Sequence, residues 1–361
     1  MKLLQGKRVL ITGGTGSLGK TLVKRLLHGE MGQPAKIIVF SRDEAKQYFM
    51  RLDFQNRKAA TDEIAYHNFQ QLLEFRIGDI RDYASIAAAV RDADVVINAA
   101  AMKQVPACEY FPFEAVRTNI LGAENIVRAI QEHTLLTDTV VGISTDKGCK
   151  PVNAMGMTKA LQERIFIQGN MRCPGTRFIG VRYGNVLASR GSVVPLFHEQ
   201  IREGGPVTVT TLEMTRFLLS LDDAVDTVFA ALANARHGEI FVPRAAAARV
   251  MDVARALIGD RPVEIKITGI RPGEKIHEIM VSEEEASRAV ARGRWFATLP
   301  MLPELQTDAV GEVCLRKEFS SADDVMTLQE TALLLERNHL QVEDGPLPLI
   351  PAFAGPQELR R

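Results

Sequence analysis

The chain has 361 residues with 44 basic and 44 acidic side chains, 46% apolar and 24% charged, an ordinary globular composition for one large domain and a smaller companion. Zero net charge removes any global electrostatic case for nucleic acid or an anionic membrane as partner. Cys108, Cys149, Cys173 and Cys314 form no CxxC pair and the seven histidines no HxxxH spacing, so reduced thiols are expected and a metal is not. A strand begins soon after Met1, leaving no room for a secretory signal, and no apolar run approaches the roughly 20 residues of a membrane helix. A soluble, cytoplasmic protein is expected.

In chain order, β-branched runs at 9–12, 36–40, 73–77, 94–98, 139–144 and 177–181 predict strands. Periodic stretches at 18–28, 84–92 and 114–132 predict helices between them. Such alternation implies right-handed βαβ units in an α/β fold, a Rossmann-type doubly wound parallel sheet with helices on both faces. Residues 57–71 are polar and lack a period, which suggests an insertion. After Tyr183 the pattern loosens, with turns at Gly204-Gly205-Pro206 and Arg271-Pro272-Gly273. The expected division is a Rossmann domain over 1–185, its sheet completed by parts of 213–243, and a smaller substrate-binding lobe from 186–212 and 244–335. Residues 336–361, with Pro346, Pro348, Pro351 and Pro356, read as an extended tail.

The first strand ends in Thr12 and runs into Gly13-x-x-Gly16-x-x-Gly19, with Thr15, Ser17 and Leu18 between the glycines and an amphipathic helix following. This is the context of a dinucleotide turn, in which glycines admit the pyrophosphate and the helix N-terminus stabilises its charge. Ser41 and Arg42 close the second strand, a hydroxyl and a guanidinium suited to a 2′-phosphate, so NADP is expected in preference to NAD. The competing arrangement has Arg42 solvated and Asp43 reaching the ribose. Asp79 and Ile80, after the third strand, are placed to hold the adenine. Ala99, Ala100 and Lys103, after the fourth, are placed to border the cofactor.

The fifth strand ends in Ser144-Thr145-Asp146-Lys147, and Met155-x-x-x-Lys159 follows at helical spacing. Here the sequence resembles the extended short-chain dehydrogenase/reductases, in which a Ser or Thr and a Tyr-x-x-x-Lys helix flank the nicotinamide. Met155 stands where the tyrosine would be, and a thioether cannot exchange a proton. Either the enzyme is silent and retained as a dinucleotide sensor, or its acid–base chemistry has moved to Asp146 and Lys147.

Further segments carry the resemblance to one group. They are Ser41-Arg42-Asp43-Glu44, Met102-Lys103-Gln104-Val105-Pro106, Asn153-Ala154-Met155-Gly156 and Arg182-Tyr183-Gly184-Asn185-Val186. Ser189-Arg190-Gly191-Ser192-Val193, Met214-Thr215-Arg216-Phe217 and Arg271-Pro272-Gly273-Glu274-Lys275 complete the set. Together they are similar to the UDP-N-acetylglucosamine 4,6-dehydratases of surface-polysaccharide synthesis, in the soluble Met-x-x-x-Lys branch, from about residue 5 to 290. The resemblance implies that Lys147 takes the sugar C5 proton, Asp146 protonates the departing C6 hydroxyl, and Thr145 bonds the C4 oxygen. It implies that Lys159 binds the nicotinamide ribose, and that Asn185, Arg216 and Arg271 meet the diphosphate. Glu274 would meet the uridine ribose, with Ser192, Val193 and Val194 near the uracil and Lys103 near the sugar.

The chemistry is coherent on its own terms. A ketone at C4 acidifies the C5 proton, so an adjacent base and acid can eliminate water across C5 and C6. A lysine base must be neutral, and burial beside a cationic cofactor is expected to depress its pKa. A nucleotide-sugar 4-epimerase, which needs no C5 base, and a silent dinucleotide-binding protein are the alternatives. The Asn-Ala-Met-Gly and Ala-Ser-Arg-Gly-Ser segments resemble the branch that inverts C5. Pairing of copies is expected through the helices at 114–132 and 153–168, the latter carrying Met157, Leu161, Ile165 and Phe166. Met155 is expected to pack against sugar or nicotinamide. His198, His237 and His277 are expected in packing or surface contacts, and Cys149 as a buried thiol.

Overall fold

A computed structural model of the chain describes residues 2–56, 71–187, 192–306 and 311–344. The six apolar runs form β1 (Arg8–Thr12), β2 (Lys36–Ser41), β3 (Leu73–Ile77), β4 (Val95–Asn98), β5 (Thr139–Thr145) and β6 (Arg177–Tyr183). Beyond them come β7 (Asn185–Val186), β8 (Val207–Val209), β9 (Thr215–Leu219) and β10 (Ile240–Pro243). Strands that are apolar along their whole length suit a sheet covered on both faces. The pairing is parallel in the order β3-β2-β1-β4-β5-β6-β10.

Helices α1 (Ser17–Leu27), α2 (Glu44–Asn56), α3 (Tyr83–Arg91), α4 (Val105–Tyr110), α5 (Pro112–Ala115), α6 (Gly122–Glu132) and α7 (Ala154–Arg172) fill the crossovers. Strand side chains alternate between two cores. Val9, Ile11, Ile37 and Val39 meet Leu22 and Leu26 of α1, whereas Leu10, Ile38, Phe40 and Val96 meet Ile86 and Val90 of α3 and Ile126 of α6. In α1 the buried positions 19, 22, 23, 26 and 27 make one apolar stripe. Strand order reverses between β1 and β4, and this opens a crevice at the carboxyl ends of the strands.

Later elements are β11 (Ala247–Arg249), β12 (Ile265–Ile267), β13 (Ile279–Val281), β14 (Ala289–Arg292), β15 (Trp295–Thr298) and β16 (Phe319–Ser320), with α8 (Val193–Arg202), α9 (Leu221–Asn234), α10 (Val250–Ile258), α11 (Glu283–Ala286) and α12 (Leu328–Arg337). Residues 289–298, assigned by sequence to the lobe, extend the main sheet instead. β15 pairs antiparallel with β10, and β14 with β15, because Ala289, Val290, Phe296 and Ala297 belong to the same core as β1. A third core joins Val194 and Phe197 of α8, Val207 and Val209 of β8, and Val253 and Leu257 of α10. It also takes in Leu335 and Leu340, and Val342–Asp344 forms a 3-10 turn. The start of the expected extended tail is therefore packed, as burial of Leu340 requires.

The insertion at 57–71 lies outside the described residues except for Gln71, as do Ser189, Arg190, Gly191 and everything after 344. Met157 and Leu161 on α7 are exposed, Ile165 is half-buried, and Phe166 lies in the core, not at a pairing face. No helix among the described residues is long and apolar enough to cross a membrane.

Arg182 of β6 is the largest fully buried side chain among the described residues. Its guanidinium donates to Glu163 Oε1 and Oε2 at 3.0 and 2.7 Å, to Glu285 Oε2 and Oε1 at 2.8 and 3.0 Å, and to the Met280 carbonyl at 2.6 Å. Burial pushes the Glu285 carboxyl up, but the charge and hydrogen bonds of Arg182 outweigh it and bring it down to about 2. Arg182→Met would strand two buried carboxylates, and a loss of about 3–5 kcal/mol is expected in urea unfolding at neutral pH. Because the folded pKa of Glu285 lies below its ordinary 4.5, the wild-type contribution is whole above that value and is lost as pH falls toward 2.

Candidate active site

The glycine turn leaves β1 at the crevice. Gly13 has φ +65°, and a Cβ there would lie 2.8 Å from Ala100 N and Cα, so only glycine lets β1 and β4 exit side by side. Thr12 ties the same two exits: its hydroxyl donates to Asn98 Oδ1 at 2.7 Å and accepts from Ala100 N–H at 3.2 Å. Gly16 begins α1 with no side-chain cap, and the first helical turn carries no acid. Its N–H groups can therefore hold an anion. Thr15 and Ser41 hydroxyls lie 3.0 Å apart. Asp43 hydrogen-bonds Lys46 and accepts from the Lys46 backbone N–H at 2.9 Å, which commits it to the start of α2.

Arg42, largely exposed, stands 3.9 Å from Asp79. Burial pushes the Asp79 carboxyl up, but hydrogen bonds from the Arg81 side chain and backbone lower it overall. Ile80 is buried against Gly122, and its carbonyl accepts from Asn125 at 3.0 Å. Lys103 is exposed on the loop after β4. That loop is held by Asn119, which sits in a π-helical turn, Val116–Leu121, between α5 and α6. Its amide accepts from Met102 N–H at 2.9 Å and donates to the Met102 carbonyl at 3.0 Å and to Thr158 Oγ1 at 2.9 Å.

Across the crevice, β5 runs into a 3-10 turn, Asp146–Gly148. Asp146 is fully buried, and its Oδ1 accepts from Thr145 Oγ1 at 2.9 Å and from Lys147 Nζ at 3.0 Å. Lys147 Nζ also reaches Asn185 Oδ1 at 3.1 Å and Glu278 Oε1 at 3.2 Å. Three acceptors match the three N–H bonds of an ammonium. Burial alone would lower the Lys147 pKa as the sequence suggests, but Asp146 and Glu278 outweigh it and raise it. Asp146 Oδ2 and Glu278 Oε2 are buried and make no hydrogen bond among the described residues, a state shared with Glu274 Oε2 and Ser192 Oγ.

Helix α7 abuts this turn closely enough that a Cβ on Gly156 would fall 2.2 Å from the Lys147 carbonyl oxygen. Asn153 caps the helix through Gly156 N–H at 2.8 Å and donates to the Gly273 carbonyl at 2.8 Å, which moors the 271–275 turn. Met155 is buried with Cys108 and Ala115 in a small core, against which Met102 and Val105 pack. Lys159 is also buried, donating to the Ile143 carbonyl at 2.8 Å and Gln162 Oε1 at 2.9 Å. Burial pulls its pKa down to about 8.

Thr145, Asp146, Lys147 and Asn185 thus come together, with Arg216 joined through Glu278 at 3.9 Å. Arg216 Nη1 is otherwise committed to the Thr215 and Ile276 carbonyls, and Arg271 is exposed on its turn. Val194 is buried in the third core and Val193 packs against it. His198 and His237 serve packing, donating through Nε2 to the Leu340 carbonyl and through Nδ1 to Asn170 Oδ1, and Cys149 is buried with its thiol pushed up to about 12 by burial. Glu278 and Asn119 escaped the sequence reading. Asn119 left a signal, a polar residue on the apolar stripe of Ala115 and Ala123; Glu278 left none beyond closeness to Lys275.

Fold and site define an α/β enzyme of the extended short-chain dehydrogenase/reductase type. The family described as "Polysaccharide biosynthesis protein" matches residues 9–299, and the chain belongs to that family of nucleotide-sugar enzymes. A relative from Rickettsia massiliae named UDP-glucose 4-epimerase is 45% identical over 288 residues, 78% of this chain and 80% of its own. The structure of Pen from Bacillus thuringiensis is 31% identical with a TM-score of 0.83, covering 93% of this chain and 99% of that one. DesIV, the dTDP-glucose 4,6-dehydratase of Streptomyces venezuelae with NAD and TYD bound, shares the fold at 21% identity and a TM-score of 0.62, covering 74% and 86%.

A lysine with a depressed pKa weakens folding where the unfolded chain is protonated and the folded one resists it. Lys159→Met should therefore raise stability below about pH 8, and the gain should shrink as pH climbs toward 10.5. The Ile143 carbonyl keeps an acceptor role in that variant through Gln162 Nε2 at 3.1 Å. Urea midpoints measured across pH test this.

Proposed function

We propose that the protein is an NADP-dependent 4,6-dehydratase acting on UDP-N-acetylglucosamine, with inversion at C5. The observation that carries this reading is the Lys147–Asp146 pair, since a base and an acid 3.0 Å apart are what elimination across C5 and C6 needs. When bound, the dinucleotide supplies the acceptor that takes hydride from C4 and later returns it to C6. The uncapped start of α1 and the turn at Gly13, Gly16 and Gly19 would hold its pyrophosphate, with Ala99 and Ala100 alongside. Thr15, Ser17 and Leu18 would complete that turn, with Asp79 and Ile80 at the adenine. Ser41 and Arg42 would meet a 2′-phosphate, and the commitment of Asp43 to Lys46 favours NADP over NAD.

At rest Lys147 is an ammonium. Passing one proton from Nζ to Asp146 Oδ1 yields a neutral amine and a protonated carboxyl together, without changing the net charge. The amine then takes the C5 proton, and Asp146 gives its proton to the C6 hydroxyl, which leaves as water. Thr145 would orient the C4 oxygen and Lys159 the nicotinamide ribose; the C4 hydroxyl proton would pass to solvent as the hydride leaves, and solvent would return one to C5 from the opposite face, which inverts that centre and leaves Lys147 an ammonium. Asn185, Arg216 and Arg271 would bind the diphosphate, with Lys103 near the sugar. Glu274 Oε2 and Ser192 Oγ, buried without partners, suit the uridine, with Val193 and Val194 beside the base. The exposed Met157 and Leu161 support pairing of copies through α7.

A 4-epimerase is the second reading, favoured by the name of the Rickettsia relative. Incubation with UDP-N-acetylglucosamine in D₂O and NMR of the product separates them. Dehydration gives a 4-keto-6-deoxy sugar deuterated at C5; a C4 epimer without deuterium would replace the proposal. Lys147→Ala and Asp146→Asn should each lose at least about 10²-fold in turnover while keeping fold and bound nucleotide. Near-wild-type turnover in either would remove the elimination mechanism.

The cofactor choice has its own check. Nucleotide extracted from the purified protein should be NADP or NADPH, and Arg42→Ala should weaken NADP far more than NAD. Recovery of NAD alone would overturn the assignment.

A further inference from the structure

Glu278 carries no motif signal, yet it occupies the centre of the charged cluster. Its backbone is fixed on both sides by one residue: Glu278 N–H donates to Ser321 Oγ at 2.9 Å, and its carbonyl accepts from Ser321 N–H at 2.8 Å. Ser321 follows β16, which pairs antiparallel with β13 immediately after Glu278. The Ser321 hydroxyl lies 2.7 Å from Thr215 Oγ1, and Thr215 precedes Arg216 on β9. The Glu278 carboxylate is 3% exposed, with Oε1 at 3.2 Å from Lys147 Nζ and 3.9 Å from Arg216 Nε, and Oε2 at 3.9 Å from Lys275 Nζ.

We propose that Glu278 is a positioning residue for Lys147, holding the amine in line with Asp146 and strengthening it as the base that takes the sugar C5 proton. The proposal rests on the dehydratase reading. Lys147 faces Asp146 from its own turn, Asn185 from β7, Glu278 from the segment before β13 and Arg216 from β9, with Lys275 behind Glu278. The two carboxylates are the nearest charges, and their sum outweighs burial and Arg216.

A neutral Lys147, having passed a proton to Asp146, gains little from a carboxylate neighbour. Once it takes the C5 proton it becomes an ammonium beside a carboxylate whose backbone is already fixed by Ser321. That attraction is present in the resting ammonium, falls when Nζ passes its proton to Asp146 and returns as the C5 proton is taken; through the neutral stage an N–H on Glu278 Oε1 keeps the amine in place, which is where turnover depends on Glu278.

Glu278→Gln removes the charge and keeps the shape. Competitive labelling of Lys147 with acetic anhydride across pH, read by peptide mass spectrometry, follows the amine without turnover. Its titration should move to lower pH by on the order of one unit or more. With UDP-N-acetylglucosamine, kcat should fall at least about tenfold with little change in KM, and the alkaline limb of the kcat profile should move to lower pH. Glu278→Asp, which keeps the charge one methylene further back, should fall between wild type and the glutamine variant.

An unmoved Lys147 titration in folded Glu278→Gln overturns the proposal. Should that variant not fold, Glu278→Asp carries the comparison, and an unmoved titration with unchanged kcat overturns it. A moved titration in an enzyme that makes no 4-keto product leaves the pairing standing and overturns the dehydratase reading.

Discussion

Charge buried at the carboxyl ends of β5 and β6 is the constraint on which the rest of the site depends. An ion taken out of water costs several kcal/mol unless it is paired and hydrogen-bonded. Arg182 meets that cost with two carboxylates and a carbonyl, and in doing so fixes β6 to α7 through Glu163 and to α11 through Glu285. Ser144 is drawn into the same arrangement by its hydrogen bond to Glu163. The residues that follow it, Thr145 at the end of β5 and Asp146 and Lys147 in the 3-10 turn, therefore leave the sheet from a fixed origin. Above this saturated layer lies a second one, Asp146, Lys147 and Glu278, in which two carboxylate oxygens remain without hydrogen bonds. The lower layer is structural because its pairing is complete. The upper layer has capacity left for a ligand.

Topology brings the two halves of the site together without further contrivance. In a parallel sheet every strand discharges its chain at the same edge, and the reversal at β1 and β4 opens that edge into a crevice. The glycine turn follows β1, the Ala99–Ala100 exit follows β4, and Asp146 and Lys147 follow β5. All three arrive at one rim. Asn119 then couples the β4 exit to α7 through Met102 and Thr158, so the loop carrying Lys103 and the helix carrying Lys159 share one anchor. A π-helical turn at Asn119 is consistent with a helix distorted to make that anchor.

The sheet was legible because its strands are short apolar runs between helices, a pattern read from neighbours in sequence. The glycine turn and the Asp146–Lys147 pair were legible for the same reason, each being contiguous. Failures came where the outcome hangs on distant partners. β14 and β15 joined the main sheet because Phe296 and Ala297 found the β1 core, a fact absent from their own four-residue stretches. Residues 336–342, expected in the tail, packed because the third core takes in Leu340 and Val342. The sign of the Lys147 shift reversed because burial is a local property of a lysine, whereas Glu278 comes from the far end of the chain.

Met155 follows from the same physics. Its side chain shares a small apolar core with Cys108 and Ala115, and a phenol in that space would bring a hydroxyl needing a partner. Lys159, one turn further along α7, points its amine inward to the Ile143 carbonyl and Gln162, where burial lowers its pKa to about 8. Met155 and Lys159 on α7 are thus both committed to contacts within the protein. Asp146 and Lys147 stand one element earlier, on the end of β5, where Thr145, Asn185 and Glu278 already supply a hydrogen-bonded path. In the proposed reaction the methionine in the tyrosine's place and the charged β5 turn are two sides of one arrangement, in which the helix packs and the strand end would react.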